Sequence, residues 1–175
     1  MSLELYAQED ILGLGMTLPG LIDSRSATVI YSVELGWQQV QMEPLFFKLF
    51  GQKLFLERTG NAMVLGEYAF GQFKGTSHIH LFILSDRGIG VSAIVHGDCQ
   101  HGAHFMYGEL GHVKLQEDTP CSCGQRGCLE AVIRELFTQS RGRITPQILE
   151  YLAIGVSTAL NISDAQIAVL TGSYV

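Results

Sequence analysis

Two hydrophobic periodicities alternate along this chain. Apolar or alternating runs of five to nine residues, bounded by glycine, proline or polar residues, predict β-strands. The predicted strands are Ile11–Thr17, Ala27–Val33, Lys53–Glu57, Ser77–Ser85, Gly90–Val95 and Gln166–Leu170. Hydrophobic residues three or four positions apart predict helices. The predicted helices are Glu43–Phe50, Asn61–Phe70, about Leu129–Phe137, and a last one from Pro146 to Asn161. This alternation predicts an α/β protein built on a layered sheet.

Local signals set the ends of these helices. Gly51 is expected to end the first helix, because glycine accepts the left-handed conformation found after a helix C-terminus. Thr145 is a suitable cap for the last helix, and Pro146 is tolerated at a first helical position. In the second helix we expect one buried stripe, formed by Ala62, Leu65, Ala69 and Phe70.

Composition indicates a globular protein with a substantial core. The chain has 175 residues, of which 47% are hydrophobic and 16% charged, enough for one domain or one and a half smaller lobes. No apolar run approaches the roughly 18 residues that a membrane helix needs, and the first residues lack the features of a signal peptide. We therefore expect a cytoplasmic protein with no membrane partner, in a reducing environment that favours metal ligation over disulfides.

The charge balance argues against nucleic-acid binding by this chain. Eleven basic and 17 acidic residues give a net charge of 11 − 17 = −6, and an acidic domain repels a phosphate backbone. One group of arginines alternates with Glu130 and Glu135, which is typical of a solvated helix face; it consists of Arg126, Arg134, Arg141 and Arg143. Any contact with DNA is expected through a region that is not present in this chain.

The cysteines carry the clearest chemical signal. Cys121, Cys123 and Cys128 fall within eight residues, and His112 lies nine positions before the first of them. Zinc prefers four ligands in a tetrahedron, and three cysteines with one histidine are one of its closed structural sets. Two glycines in the loop would let it turn sharply enough for three sulfurs to face one ion. Ordinary buried cysteines or a disulfide pair are the alternatives, but the spacing favours a structural zinc.

The same segment resembles a family signature. Gly108-Glu109-Leu110-Gly111-His112, followed by Cys121-Ser122-Cys123-Gly124-Gln125-Arg126-Gly127-Cys128-Leu129-Glu130-Ala131, is similar to the signature of the ROK family of sugar-responsive repressors, unassigned reading frames and sugar kinases. Three weaker elements agree in order: the Pro19-Gly20 turn after the first strand, Leu35-Gly36-Trp37, and Asn61-Ala62 with Leu65-Gly66-Glu67 and Phe70-Gly71. The resemblance runs from about Ile11 to the end.

The resemblance implies a ribonuclease H/actin-like fold, with two lobes around a cleft. We expect an incomplete version of this fold over residues 1–175, with part of the first lobe in about 11–71 and part of the second, including the zinc loop, in about 77–175. The boundary is expected near Gly71–Ser77. Only 22 residues separate Cys128 from Tyr151, where the family usually inserts several helices. This suggests a piece of a longer protein, a truncated gene product or a divergent member.

Kinase chemistry is expected to be lost. The first phosphate motif of the family's kinases would have to lie before Ile11, where we find no glycine. Where the family's second phosphate loop shows a GTGIG-like run, this chain has Asp86-Arg87-Gly88-Ile89-Gly90. At the position of the family's catalytic aspartate it has Thr59, which we interpret as a helix N-cap and not as a base. No catalytic residue is therefore assigned.

The resemblance implies that the chain keeps part of the family's sugar-binding site. The family holds sugar hydroxyls through residues that match Glu109, His112 and Glu130, while Arg58-Thr59 replaces the Asn–Asp pair that would complete the pocket. As alternatives, Glu109 would support the zinc loop, and Glu130 would be a favourable charge in a first helical turn. The other histidines are expected to be ordinary polar residues and not a second metal site, and Cys99 a loop thiol.

Three functions follow from this pattern. The preferred one is a non-catalytic, sugar-sensing effector domain of a NagC/Mlc-like ROK transcriptional regulator with a structural zinc, binding a small sugar or amino sugar. The others are a fragment or divergent member of a ROK sugar kinase, and a zinc-stabilised dimerisation module without ligand. A homodimer is expected, because many aromatic residues accompany few charges; they include Phe46, Phe50, Phe70, Phe73 and Phe105.

Overall fold

The computed structural model describes residues 11–116 and 118–175. The chain divides into two compact units, of which the first ends at Ala62 and the second comprises Met63–Val175. The sequence-based lobe limits near residues 71–77 stay a prediction. Within the described residues, no helix is both long and apolar enough to cross a lipid bilayer.

The first unit combines two small sheets. Its elements are β1 (Leu14–Leu18), β2 (Leu21–Asp23), β3 (Thr28–Ser32), β4 (Trp37–Gln41), α1 (Glu43–Phe50) and β5 (Leu54–Arg58). Strands β1 and β5 pair in parallel, with Leu14 opposite Leu54, while β2, β3 and β4 form an antiparallel sheet. Alternate residues of β5 point into the core, so that Leu54 and Leu56 are buried and Phe55 is exposed.

Helix α1 has the predicted limits but little burial. Gly51 follows it with a φ of 65°, and its N–H donates to the carbonyl of Phe47 at 2.8 Å, as expected for a glycine C-cap. No residue of α1 is fully buried, and Leu45, Phe47 and Leu49 are exposed. The helix therefore leaves an apolar surface on the first unit.

The second unit is built on a four-stranded sheet in the order β8-β7-β6-β9. Its elements are β6 (His78–Ser85), β7 (Gly88–Val95), β8 (Asp98–Cys99), α3 (Leu129–Gln139), α4 (Pro146–Ser163) and β9 (Ile167–Thr171), and helix α2 (Thr59–Phe70) leads into it. Strand β6 pairs antiparallel with β7 and parallel with β9. The central strand is apolar almost throughout because both of its faces are covered.

Each face of this sheet packs against helices. On one face, Phe82 and Leu84 of β6 form a core with Leu129 and Ile133 of α3 and with Ile148 of α4. On the other face, a second core joins residues of β6 and β7 to α2; its buried members are Val64, Ile79, Leu81 and Ile94. Thr145 caps α4 as predicted, since its Oγ1 accepts a hydrogen bond from the N–H of Ile148 at 3.3 Å.

Two expectations about α2 are wrong in detail. Val64 is its buried apolar residue, whereas Leu65 and Phe70 of the predicted stripe are exposed. Apolar residues occur on several sides of α2, so the sequence pattern does not identify the face that meets the sheet. The helix also begins at Thr59 itself, one position too early for Thr59 to be its N-cap.

Candidate metal centre and adjoining carboxylates

The structure brings the four predicted metal ligands together in the second unit. One imidazole nitrogen of His112 and the sulfurs of Cys121, Cys123 and Cys128 all lie within 4.8 Å of one another. His112 Nδ1 is 3.6 Å from Cys121 Sγ, and the sulfurs of Cys123 and Cys128 are 3.7 Å apart. Among the described residues this is the one group of three or more such side chains that could hold a metal ion.

Two glycines position the segment that carries His112. Gly108 has a φ of 83°, and its carbonyl accepts a hydrogen bond from the Val91 N–H at 2.9 Å. A Cβ at Gly108 would overlap the Val91 carbonyl, so no larger residue fits there. A Cβ at Gly111 would come within 2.9 Å of a carboxylate oxygen of Glu130. The segment then forms a 3₁₀ turn at Leu110–His112. The close packing at the two glycines fixes the position of this turn.

The cysteine loop is folded by its own backbone. The N–H of Cys121 donates to the carbonyl of Gln125 at 2.9 Å, and the Gly124 N–H donates to the Cys121 carbonyl at 3.0 Å. Gly127 has a φ of 77°, and a Cβ there would overlap the carbonyl oxygen of Gln116. The turn thus directs the sulfurs of Cys121 and Cys128 inward, toward His112.

Burial divides the three thiols into two kinds. Cys128 is 1% exposed and Cys121 is also buried, whereas Cys123 is exposed. Burial raises the pKa of the Cys128 thiol to about 12 and also raises the pKa of Cys121. The backbone hydrogen bond from Gln125 instead lowers the pKa of Cys123. A divalent cation at the centre would stabilise the thiolate forms of all three.

The two glutamates predicted for sugar binding adjoin this cluster. Oε2 of Glu109 lies 3.7 Å from Nε2 of His112, and both side chains are about one-third exposed. Glu130, in the first turn of α3, has an 11% exposed side chain, and its Oε1 lies 3.7 Å from Cys121 Sγ. Both carboxylates thus contact a residue of the metal cluster, and their role in sugar binding stays a prediction.

Arg134 is a neighbour whose position near the site was not predicted. Its guanidinium lies 3.6 Å from Oε1 of Glu130, four residues earlier on α3. The sequence carried the signal, since opposite charges at this spacing meet on a helix surface, but the arginines were interpreted as a solvated face. Arg134 is half exposed, so it serves both as a surface residue and as a partner of Glu130.

Residues at the two predicted sites of lost kinase chemistry are engaged with other side chains. In the first unit, Nη2 of Arg58 donates to Oδ1 of Asn61 at 3.3 Å, and Nδ2 of Asn61 donates to Oε1 of Glu57 at 3.0 Å. In the second unit, the Asp86 N–H donates to Oγ of Ser173 at 3.2 Å, and that hydroxyl donates back to Oδ1 of Asp86 at 3.0 Å. Asp86 and Arg87 form the tight turn between β6 and β7.

The remaining histidines include one buried side chain. His80 is 1% exposed; its Nε2 lies 3.3 Å from the Tyr107 hydroxyl, and its Nδ1 has no hydrogen-bond partner. Burial, and then the nearby His78, lower the pKa of His80. The rings of His78 and His96 meet edge to face at 4.5 Å. His80 is thus a core residue kept neutral by its surroundings.

Comparisons with known proteins agree on one family. The model of the ROK family matches residues 2–137. Over 132 residues the chain is 39% identical to a glucokinase of Thermotoga maritima, covering 74% of this chain and 41% of the glucokinase. Over 190 residues it is 26% identical to a xylose repressor of Bacillus spizizenii, covering 94% of this chain and 49% of the repressor. The chain therefore spans less than half the length of these two curated relatives.

Solved structures show the same fold. A ROK family transcriptional regulator, a homologue of the Escherichia coli MLC protein, aligns with a TM-score of 0.78 at 22% identity, covering 93% of this chain and 50% of that one. A ROK family glucokinase from Streptomyces griseus, in complex with glucose and AMPPNP, aligns with a TM-score of 0.76 at 20% identity, covering 93% and 66%. The predicted actin-like ROK fold is thereby confirmed.

Proposed function

This chain belongs to the ROK family, and we propose that it forms the non-catalytic, sugar-sensing effector part of a ROK transcriptional regulator, with a structural zinc ion. One observation carries the proposal. Glu109 and Glu130 adjoin the Cys3His cluster, which itself contains the third proposed sugar-binding residue, His112. The relatives named xylose repressor and the regulator of the same fold support this branch of the family.

The donor set fits zinc, and two of its interatomic distances match a tetrahedral zinc site. Zinc–sulfur bonds of about 2.3 Å in a tetrahedron place two sulfurs about 3.8 Å apart, and a zinc-bound nitrogen about 3.5 Å from a sulfur. The Cys123–Cys128 sulfurs are 3.7 Å apart, and His112 Nδ1 is 3.6 Å from Cys121 Sγ. Zinc would hold the loop closed and fix the orientation of the His112 ring.

The three polar residues divide the recognition of a sugar between them. With Nδ1 of His112 directed at the metal cluster, its Nε2 carries the proton and donates a hydrogen bond. The carboxylates of Glu109 and Glu130 accept hydrogen bonds from hydroxyl groups. Such a set of one donor and two acceptors suits the neighbouring hydroxyls of a small sugar or amino sugar.

Two positions argue against phosphoryl transfer. Thr59 stands where the family's kinases have their aspartate, and a hydroxyl cannot accept a proton from a sugar at neutral pH as a carboxylate can. At the second phosphate loop, Asp86 presents a negative charge, and its backbone N–H already donates to Ser173. A phosphate group would meet repulsion there, and the Asp86 amide would have to give up an existing hydrogen bond.

The regulator would act on DNA through another part of the protein. The net charge of −6 opposes binding to a phosphate backbone, so the role of this chain would be to sense the sugar and to pair with a second copy. A fragment of a sugar kinase is the second candidate, favoured by the 39% identity to a glucokinase.

The test combines sugar binding with phosphoryl transfer. Titration calorimetry of the zinc-containing chain with xylose, glucose, N-acetylglucosamine and N-acetylmannosamine should give saturable binding of at least one sugar. Glu109→Gln should weaken this binding, while Glu150→Gln, the same change on the exposed surface of α4, should not. ATP-dependent phosphorylation should stay at background.

Each result discriminates between the candidates. Phosphorylation that Thr59→Ala abolishes would establish the kinase alternative. Zinc without binding of any of the four sugars would instead favour the ligand-free dimerisation module.

A further inference from the structure

The three sulfurs of the metal cluster differ in their access to solvent. Cys123 is exposed, whereas Cys121 and Cys128 are buried. A dissolved oxidant can therefore reach the sulfur of Cys123 directly, and the other two only through an opening of the loop. Oxidation of thiolates follows their accessibility, so Cys123 is the sulfur that should react first.

A second sulfur lies within reach of Cys123. Cys128 Sγ is 3.7 Å away, against about 2.05 Å in a disulfide. Cys121 Sγ is also within 4.8 Å of Cys123, but its own close contacts are with Nδ1 of His112 at 3.6 Å and with Oε1 of Glu130 at 3.7 Å. The geometry thus designates Cys128 as the thiol that would resolve an oxidised Cys123.

The loop between the two cysteines can follow a small displacement. Both of its glycines, Gly124 and Gly127, have positive φ values, of 88° and 77°. Open space surrounds Gly124, where an added Cβ would meet no atom within 4 Å. The sulfurs need to approach by less than 2 Å (from 3.7 Å to about 2.05 Å), so rotation of the two side chains and a slight adjustment at Gly124 are sufficient.

We propose that Cys123 is a peroxide-reactive modification site, at which oxidation to a Cys123–Cys128 disulfide releases the zinc ion. The inference rests on the proposed zinc site, and it makes peroxide a second signal to which the protein responds, besides the sugar. Because His112 contributes to both the metal cluster and the sugar site, loss of zinc would also remove the constraint on its ring. Sugar affinity would then depend on the oxidation state of the cysteine loop.

The chemistry balances in two steps. The Cys123 thiolate attacks hydrogen peroxide: an S–O bond forms, the O–O bond breaks, and hydroxide leaves and is protonated to water, giving a sulfenic acid. The Cys128 thiolate then attacks this sulfur: an S–S bond forms, the S–O bond breaks, and a second hydroxide becomes water. The two sulfurs together lose two electrons, which reduce one peroxide to two waters. The centre has then lost two of its four ligands.

The experiment uses the purified full chain. Its zinc content is measured first, and the protein is then treated with hydrogen peroxide in the presence of a chromogenic zinc chelator. Intact mass and peptide mapping follow the thiols, and a sulfenic-acid trap at limiting peroxide identifies the first sulfur oxidised. Cys123→Ser is compared with Cys99→Ser, whose cysteine lies on β8 outside the metal cluster.

We expect the wild type to release its zinc in step with a mass loss of two hydrogen atoms and with formation of the Cys123–Cys128 disulfide. A reductant with added zinc should reverse both changes. Cys99→Ser should behave as the wild type. Under the same peroxide treatment, Cys123→Ser should release zinc more slowly than the wild type, by about tenfold or more. The trap should label Cys123 in the wild type, which tests the inference even where Cys123→Ser does not hold zinc.

Contrary outcomes are distinct. A chain purified without zinc would refute the proposed zinc site itself. A zinc-containing chain that keeps its metal under peroxide, or that forms a disulfide through Cys121 or Cys99, would overturn the redox inference and leave the zinc site intact.

Discussion

The sulfur of Cys121 lies 3.7 Å from Oε1 of Glu130, so that one proposed metal ligand touches one proposed sugar-binding carboxylate. The contact joins the cysteine loop to the first turn of α3, where Glu130 is largely buried. A metal ion that displaces the thiol proton of Cys121 would remove the donor from this contact and leave the carboxylate oxygen available to a hydroxyl group. We therefore expect metal binding to increase the affinity for the sugar, and sugar binding to increase the affinity for the metal.

Glu130→Gln should separate sugar binding from metal binding. The amide keeps the shape of the side chain but loses its charge, and hydrogen bonds to charged groups contribute about 1.5 to 3 kcal/mol. We expect sugar affinity to fall by about tenfold or more, with zinc content unchanged. Calorimetry and elemental analysis of the same sample measure both quantities. Loss of zinc with the affinity would show that Glu130 supports the metal and does not contact the sugar.

Zinc removal should destabilise the second unit. The loop around Cys121, Cys123 and Cys128 has a small apolar cluster of its own, comprising Cys121, Cys128 and Ala131, so metal ligation would supply much of its stability. A strong chelator should lower the free energy of unfolding by several kcal/mol, of the order of the effect of losing a structural metal. Thermal unfolding with and without chelator, followed by zinc restoration, measures this. Protein purified without chelator that contains no zinc would contradict the premise.

Gly127→Ala should be far more damaging than Gly124→Ala. Both glycines have positive φ, which costs a residue with a Cβ about 1 to 2 kcal/mol. At Gly127 the new methyl group would also overlap the carbonyl of Gln116, whereas Gly124 faces open space. Zinc affinity and the unfolding temperature should therefore fall much more for Gly127→Ala. Equal effects would mean that the loop is not held against Gln116 as the structure shows.

His80 should make the protein sensitive to acid. Its pKa is lowered in the folded state by burial, while the unfolded chain binds a proton near the ordinary value of 6.5. Below that pH the unfolded state binds more protons, so stability is full above pH 6.5 and declines as the pH falls toward the folded pKa. His80→Leu should flatten this part of the stability curve relative to the wild type, and His104→Gln, on the exposed loop, should not. Denaturant titrations between pH 7 and 5 provide the curves.

The elements that the sequence predicted well share strong local patterns. Strand β6 is apolar almost throughout, and α4 has both Thr145 and Pro146 at its start. Strands β2 and β4 were missed, because β2 has three residues and most of β4 is exposed and polar. An exposed strand has no buried face to impose the alternation on which such a prediction depends.

In the candidate site, too, contacts between metal ligands close in the sequence were predicted, and contacts between distant residues were not. The metal ligands fall between His112 and Cys128, so their spacing alone indicated that they meet. The pairing of Asp86 with Ser173 joins residues 87 positions apart. It depends on the alignment of β6 with β9, which places Leu84 and the turn after Thr171 side by side. Tertiary packing determines such a contact, and no local pattern reports it.

The chain should form a homodimer without DNA or nucleotide. Of the five phenylalanines behind this expectation, Phe70 is 91% exposed, whereas Phe46 and Phe73 pack in part against cores. Further apolar side chains are exposed on α1 and α4, among them Phe47, Leu49 and Ile162. Exposed apolar surface of this kind marks interaction sites, and its burial is insensitive to ionic strength, unlike an association between surface charges.

Light scattering at micromolar concentration should give twice the 19.2 kDa of one chain, in dilute buffer and in about 0.5 M salt alike. A monomer mass under both conditions would refute self-association, and a dimer that dissociates in salt would assign it to charged groups instead of these apolar side chains.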